Sequence, residues 1–182
     1  MCSTASSPVT LIEQTRGASV LSNPSITPDV RVVIEALQRF VGQPGVMAAL
    51  RRAQSDAAAQ LERAPALRST FVSLDPASLG AMAPAAATSI RVAVSRAGVD
   101  TAVERHPNST QVLLVLDGPV ETHVETDGKW RIDRYGEGDA QSLENLWHLV
   151  PAGVWHKSNA PGPGDCTVVA FHSAAKVRDD YR

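Results

Sequence analysis

The sequence predicts a mainly β domain that follows a short α-helical region. After residue 88, about eight short apolar stretches recur at near-regular spacing, and turn residues separate them. Between residues 27 and 66, by contrast, apolar residues recur at helical spacing. A chain of 182 residues is long enough for one domain with a sizeable core and extensions. An antiparallel sandwich or barrel is therefore the expected architecture of the second part.

The composition divides the chain into three regions. Residues 1–26 are rich in Ser, Thr, Pro and Asn, which predicts a flexible N-terminal arm. Residues 27–66 predict a helical pair, in which Thr27 caps the first helix and Gly42 ends it. Two residues later a proline opens the second helix. Residues 67–182 carry the β domain.

The strands of the β domain follow from alternation and from turns. A strand is expected at 70–74, and the connection over 76–87 is rich in Ala and Pro and predicts irregular structure. From Ser89 onwards the chain reads as β, and Asp-Gly and Pro-Gly pairs mark the turns. The later candidates are 99–106, 110–117, 119–125, 129–134, 143–150, 154–159 and 166–173.

The charge and composition exclude several classes of function. A net charge of −2 leaves no basic surface for nucleic acid or for an anionic membrane. No apolar run approaches the roughly 20 residues that a membrane span needs. The N-terminus lacks the basic and apolar segments of a secretory signal, and Cys2 and Cys166 are too far apart for a disulfide framework. A cytoplasmic protein with a small-molecule partner is expected.

The chemistry-bearing residues concentrate in the β domain, which contains all five histidines. Glu104 and His106 are two residues apart and share a strand face, and Gln111 joins them if the next strand points the same way. A well-specified turn sets His156 at the start of another strand. Two imidazoles and one carboxylate suit Fe(II), Mn(II), Ni(II) or Zn(II) with open positions. Gln111 is expected to be a weak fourth ligand or an orienting donor.

A family resemblance rests first on the turn that carries His156. The segment Pro151-Ala-Gly153-Val-Trp-His156-Lys-Ser-Asn159 resembles the second motif of the cupin superfamily, Pro-x-Gly-x-x-His followed by Asn. A Gly-Asp pair at residues 138–139 is similar to the pair that precedes this motif in cupins. The gap to the motif is longer than usual, so residues 141–147 are expected to form an inserted loop.

The first cupin motif is present in altered form. The family carries His-x-His, four spacers, Glu, and then an apolar strand that ends in Gly. Here Glu104, His106, Gln111 and Gly118 match its spacing, with Glu104 at the first His and Gln111 at the Glu. The resemblance covers roughly residues 88–175 and implies a cupin-like antiparallel β-barrel or jelly roll. The alternative is a barrel that has lost its metal, although a buried unpaired carboxylate would be costly.

The resemblance implies a metal-dependent enzyme that acts on a small organic molecule inside the barrel. Cupins most often use Fe(II) for dioxygenation, with Glu104, His106 and His156 as the implied ligands. A metal-assisted lyase or isomerase is the nearest alternative, and a non-catalytic ligand-binding module is the other. Cupins also form homodimers through sheet edges, while the apolar helix pair offers a second surface for association.

Three further side chains are candidates for catalytic roles; the alternatives are an arginine in water on an edge strand and a histidine at the rim of the core. Arg91 shares a strand face with Ala93 and Ser95 and is expected to hold a substrate carboxylate by a bidentate contact. His172 on the last predicted strand is expected to be a general acid or base, or to orient a ligand. His148 has the parity opposite to its apolar neighbour and is expected to face the pocket. Leu113, Val115 and Trp155 suggest an apolar pocket wall.

Overall fold

The computed structural model describes residues 26–137 and 142–182 and confirms a mainly β fold. Residues 1–25, and with them most of the expected arm, lie outside the described residues, as do Gly138, Asp139 and Gln141. The helices and strands, in chain order, are α1 Pro28–Val41, α2 Pro44–Arg63, β1 Ser69–Leu74, β2 Ser89–Ser95, β3 Glu104–Arg105, β4 Gln111–Asp117, β5 Val120–Thr126, β6 Lys129–Tyr135, α3 Leu143–Leu146, β7 Trp147–Val150, β8 His156–Asn159, β9 Cys166–His172 and β10 Asp180–Tyr181.

The strands form two five-stranded antiparallel sheets. The first, here called the helix-side sheet, has the order β1-β2-β9-β4-β7. The second, here called the outer sheet, has the order β10-β3-β8-β5-β6. Consecutive strands are seldom neighbours, so the chain crosses repeatedly between the sheets, as it does in a jelly roll. The space enclosed between the two sheets is where a ligand could bind.

The two N-terminal helices pack on the outward face of the helix-side sheet. Thr27 accepts a hydrogen bond from the Val30 N–H, and so caps α1 as the sequence predicts. The apolar faces of both helices join Ile90, Val92 and Phe171 in one buried cluster. Period-two alternation then turns the intervening side chains of β2 and β9 towards the outer sheet. The helices thus cover one face of the sheet and leave its other face for the site.

A smaller cluster fills part of the space between the sheets. It contains Leu113 and Val115 of β4, Val168 and Ala170 of β9, and Tyr135 of β6. Cys166 belongs to the same cluster and is a buried free thiol. Burial raises the pKa of this thiol to about 11, which makes it a poor nucleophile. This cluster forms an apolar floor beside the polar residues described below.

Several elements differ from the sequence prediction. The expected strand 143–150 begins only at Trp147, because Ser142 accepts a hydrogen bond from the Asn145 N–H and caps the short helix α3. The expected strand 99–106 is reduced to two paired residues. The connection 76–87 contains two 3₁₀ turns. In the described residues no helix is long and apolar enough to cross a membrane.

Candidate metal centre

The outer sheet brings Glu104, His106 and His156 together on its inner side. Glu104 of β3 lies directly opposite His156 of β8 in the antiparallel register, so both side chains project from the same face. His106 follows two residues after Glu104 and shares that face. Both histidines are buried, with 2% of their surface exposed. The structure thus brings together the two residues that strand parity paired and the histidine that the turn and the family motif supplied.

The turn before β8 fixes the position of His156. Gly153 adopts φ of +78°, a conformation that side-chain-bearing residues rarely take. Its backbone N–H donates a hydrogen bond of 3.0 Å to the carbonyl oxygen of His106. This bond ties the turn to the segment that carries the other ligand. One backbone hydrogen bond consequently links the two segments that carry the histidines, and the centroids of the two rings lie 5.1 Å apart.

The donor atoms of the three side chains have the spacing of an open metal site. Oε1 of Glu104 lies 3.9 Å from Nε2 of His106 and 3.7 Å from Nε2 of His156. All three donor atoms fall within 4.8 Å of one another. Ligands at about 2.0–2.2 Å from a metal stand roughly 3–4 Å apart, so a small closure of the group would suffice. Neither Nε2 atom has a hydrogen-bond partner among the described residues, which leaves both free to bind an ion.

The other nitrogen of each ring is occupied by an acceptor. Nδ1 of His156 lies 3.0 Å from the carbonyl oxygen of Val154. Nδ1 of His106 lies 2.8 Å from Oδ1 of Asp179, although the angles of this contact fall short of those of a straight hydrogen bond. An acceptor at Nδ1 favours the proton there and leaves the lone pair on Nε2. Both imidazoles thus present the nitrogen that faces Glu104 in the form that a metal binds.

Burial sets the protonation of the group. It lowers the pKa of His156 to about 4 and also lowers the pKa of His106, so both rings are neutral at pH 7. Burial, helped by the negative charge of Asp179, raises the pKa of Glu104 to about 7. A divalent cation beside Glu104 would favour its carboxylate form. The donor set therefore fits a divalent metal in both its geometry and its charge.

Two predicted residues approach the site from the helix-side sheet. Gln111 of β4 lies directly opposite His172 of β9, and both are buried. The His172 ring packs edge-on against His106, with 5.0 Å between the centroids. The amide oxygen of Gln111 and both ring nitrogens of His172 lack hydrogen-bond partners within the described part of the chain. The enclosed space is thus lined at this end by unpaired polar atoms from both sheets.

A cavity of about 130 Å³ adjoins these residues. Glu104, Gln111 and His156 form its polar end, and Leu113 and Ala170 belong to its apolar wall. The volume and the mixed lining suit a small organic molecule more than an extended one.

Arg91 lines the same cavity, as its strand parity predicts. Its guanidinium contacts both carboxylate oxygens of Asp179, at 3.3 Å and 3.0 Å. It also lies over the ring of Phe71, 5.2 Å from the centroid. The arginine thus faces the site but is paired with a carboxylate of the chain itself. Its expected role of holding a substrate carboxylate stays a prediction.

Three expected pocket residues lie elsewhere, of which Val115 packs in the buried cluster between the sheets and not in the cavity lining. His148 does turn inwards, but a ring nitrogen contacts the hydroxyl of Tyr135, away from the cavity that Glu104 lines. Trp155 lies outside the cavity, because it precedes His156 and the parity of the strand turns it outwards. Its ring stacks beneath the guanidinium groups of Arg105 and Arg182, each 4.7 Å from the centroid. The wall assignment is therefore wrong for Trp155.

Sequence reasoning missed Asp179 and Tyr181 near the C-terminus. Asp179 contacts His106 and Arg91, and Tyr181 lines the cavity. The segment carries no alternation, and β10 is only two residues long, so no strand signal was present. The one available hint was an Asp-Asp pair flanked by arginine and tyrosine at 178–181. Its partners lie more than 70 residues away in sequence, which no local pattern indicates.

Comparison with known proteins gives similarity at the level of structure. No family model matches the sequence, and no curated protein matches it. A recombinant oxalate oxidase in complex with glycolate is similar with a TM-score of 0.50 and 15% identity, over 63% of this chain and 55% of that one. Peruvianin-I, described as a cysteine peptidase from Thevetia peruviana latex, has a TM-score of 0.50 and 16% identity, over 63% and 66%. The chain has the cupin fold.

A further cupin structure matches over a smaller part. Oxalate decarboxylase from Bacillus subtilis is similar with a TM-score of 0.45 and 16% identity, over 51% of this chain. The match spans 23% of the length of that enzyme. At such identities the likeness concerns the fold alone. The expected cupin fold is confirmed, and the group formed by Glu104, His106 and His156 gives it a candidate site for a divalent metal.

Proposed function

We propose that this protein is a metal-dependent enzyme that acts on a small organic molecule between its two sheets. One observation carries the proposal. Two buried imidazoles and one carboxylate converge beside a cavity that Glu104 and His156 line, and both Nε2 atoms that face the carboxylate are unpaired within the described residues. Unpaired buried donors and acceptors are costly, so a site of this kind is best explained by a ligand that satisfies them.

The proposed reaction is an Fe(II)-type dioxygenation or a related oxidation. A bound Fe(II) would supply a Lewis acid that can bind O₂ and the substrate together, whereas Mn, Ni or Zn would fit the same donors. Glu104, His106 and His156 would hold the ion, and Gln111 would complete or orient the set. The apolar wall would exclude water from the bound substrate. Because Glu104 and His156 also line the cavity, an ion held by this group would be accessible to a substrate bound there.

Proton transfer is the proposed task of His172. The ring touches His106, and its two nitrogens are unpaired among the described residues. His172 is fully buried behind the cavity lining, opposite Gln111, so it would exchange a proton with the substrate through a water or a small shift of the ring. The same arrangement would serve the second candidate, a metal-assisted lyase or isomerase, which needs a Lewis acid and a base but no O₂. His148 is a weaker candidate because Tyr135 occupies a nitrogen of its ring.

Metal content is the first test. We expect protein purified without chelator to contain close to one equivalent of a divalent transition metal by elemental mass spectrometry. Glu104→Ala, His106→Ala and His156→Ala should each empty the site, and Gln111→Ala should weaken it less. His123→Ala is a matched control, because its side chain has the parity opposite to Val124, which lies beside His156. Less than a tenth of an equivalent in the wild type would exclude the metalloenzyme and leave a non-catalytic ligand-binding module.

The reaction type is tested next. If iron is bound, oxygen uptake should accompany turnover of one member of a panel of thiols, catechols and amino acids. Turnover of a compound under strict anaerobiosis would instead favour the lyase or isomerase. A cytoplasmic location and a homodimer remain predictions, which cell fractionation and light scattering of the purified protein would test.

A further inference from the structure

The C-terminal segment inserts one carboxylate between a proposed metal ligand and an arginine. Asp179 places Oδ1 at 2.8 Å from Nδ1 of His106, and its carboxylate lies against the guanidinium of Arg91 with both oxygens engaged. The side chain of Asp179 is 21% exposed and that of Arg91 is 22% exposed. The three side chains form a chain of contacts that runs from the cavity wall to the back of the His106 ring.

The backbone on both sides of Asp179 is fixed. On the N-terminal side, the amide of Asn108 donates to the carbonyl of Lys176 at 2.8 Å and accepts from the Arg178 N–H at 2.9 Å. On the C-terminal side, Asp180 pairs with Arg105 in the register of β10 and β3. Two hydrogen bonds and one ion pair thus hold residues 176–181, here called the strap, which contain no helix and only a two-residue strand. A strap anchored so closely around one residue places that residue with precision.

The carboxylate behind His106 completes an arrangement that metal sites require. An imidazole ligand needs an acceptor on its second nitrogen, which sets the tautomer, the ring orientation and the basicity of the coordinating nitrogen. His156 obtains this acceptor from a backbone carbonyl of its own turn. At His106 the carboxylate of Asp179 supplies the acceptor, and the backbone of the preceding residue, Arg178, also contacts the ring. The bidentate contact with Arg91 in turn fixes the plane of the carboxylate.

We propose that Asp179 is a positioning residue for the metal centre, held by Arg91, and that it orients His106 so that Nε2 faces Glu104. This inference rests on the proposed function insofar as it assumes that the site binds a divalent metal. In this proposal Arg91 has a structural role, because its guanidinium positions the carboxylate of Asp179 rather than a substrate carboxylate.

The test compares Asp179 with an aspartate that forms an ion pair elsewhere in the outer sheet. We expect Asp179→Asn to weaken Mn²⁺ and Fe²⁺ affinity roughly 10- to 100-fold in a chelator competition assay, because the loss of an outer acceptor typically has that effect. Asp179→Glu should recover part of the affinity. Asp133→Asn is the control, because Asp133 of β6 is paired with Arg131 and contacts neither a proposed ligand nor the segment that holds Asp179. It should bind as the wild type does, within about threefold.

A readout without metal separates positioning from folding. Nitrogen-detected NMR of the metal-free wild type should show the His106 proton on Nδ1. The Asp179→Asn variant should show a mixture of tautomers at an unchanged melting temperature. Equal metal affinity in the wild type and Asp179→Asn, or a wild-type proton on Nε2, would overturn the inference. A wild type that binds no metal would overturn the proposed function instead, and the two failures are thereby distinguished.

Discussion

Replacing Glu104 with glutamine should stabilise the metal-free protein, and increasingly so as the pH rises. Burial raises the pKa of this carboxyl from 4.5 to about 7. Between those values the unfolded chain releases a proton that the folded chain retains, so the wild type loses stability as the pH rises from about 4.5 through about 7. Glutamine has nearly the same shape as glutamate but does not titrate, so the stability of Glu104→Gln does not fall in this way as the pH rises.

The size of the effect follows from the shift. Each pKa unit corresponds to about 1.4 kcal/mol, so the interval from about pH 5.5 to pH 7 contributes roughly 2 kcal/mol. In a domain of this size that amounts to a difference of roughly 4–8 °C in melting temperature. The advantage of Glu104→Gln over the wild type should therefore grow by this amount between about pH 5.5 and pH 8.

The assay is thermal unfolding in chelator across that pH range, with Glu62→Gln as the control. Glu62 is exposed on α2, so its variant loses one negative charge without altering the site. Adding a divalent metal should then stabilise the wild type by mass action and leave Glu104→Gln nearly unaffected. Parallel curves for the wild type and Glu104→Gln would refute the reasoning, since they would mean that the carboxyl ionises normally in the folded state.

Three further predictions concern the scaffold. In denaturant titration, Gly136→Ala should lower the free energy of unfolding by roughly 2–4 kcal/mol and Gly128→Ala by about 1 kcal/mol. Both glycines have positive φ, which disfavours alanine. A Cβ at Gly136 would also lie 2.5 Å from the Gly118 carbonyl oxygen, whereas open space surrounds Gly128. Burial lowers the pKa of His148 to about 3, so stability should fall as the pH drops below about 6.5, and His148→Gln should lessen that fall by roughly 3 kcal/mol at about pH 4. Alkylation of Cys166 at pH 8, followed by mass spectrometry, should be at least roughly 100-fold slower in the folded protein than in urea.

The sequence allowed the prediction of those parts of the site that depend on local rules. The turn before His156 needs a glycine in a left-handed conformation, and the spacing of Pro151 and Gly153 predicted this turn. Strand parity then paired Glu104 with His106, and the cupin motif supplied His156 as their partner. These three residues were found because each constraint acts within a few residues of the side chain it places.

The remaining parts depend on contacts between distant segments, for which the sequence contains no local signal. Asp179 reaches His106 only because the last residues cross from the helix-side sheet to the outer sheet and pair with a two-residue strand. The contact between the Tyr135 hydroxyl and the His148 ring likewise depends on how the two sheets pack together. Strand parity correctly indicated that His148 points inwards, but it could not show that the ring would lie away from the cavity.

The positions of Glu104 and Gln111 in the two sheets explain how the altered first motif can retain a carboxylate beside His156. The carboxylate of Glu104 lies opposite His156 in the strand register and 3.7 Å from its Nε2, within reach of an ion bound at that nitrogen. Gln111, which occupies the place of the family's carboxylate, lies on the facing sheet opposite His172. Moving the negative charge from one sheet to the other keeps one carboxylate in the donor set while leaving the helix-side wall neutral. The substitutions at these two positions are therefore a rearrangement of the site that preserves its charge, and they do not by themselves indicate a lost metal centre.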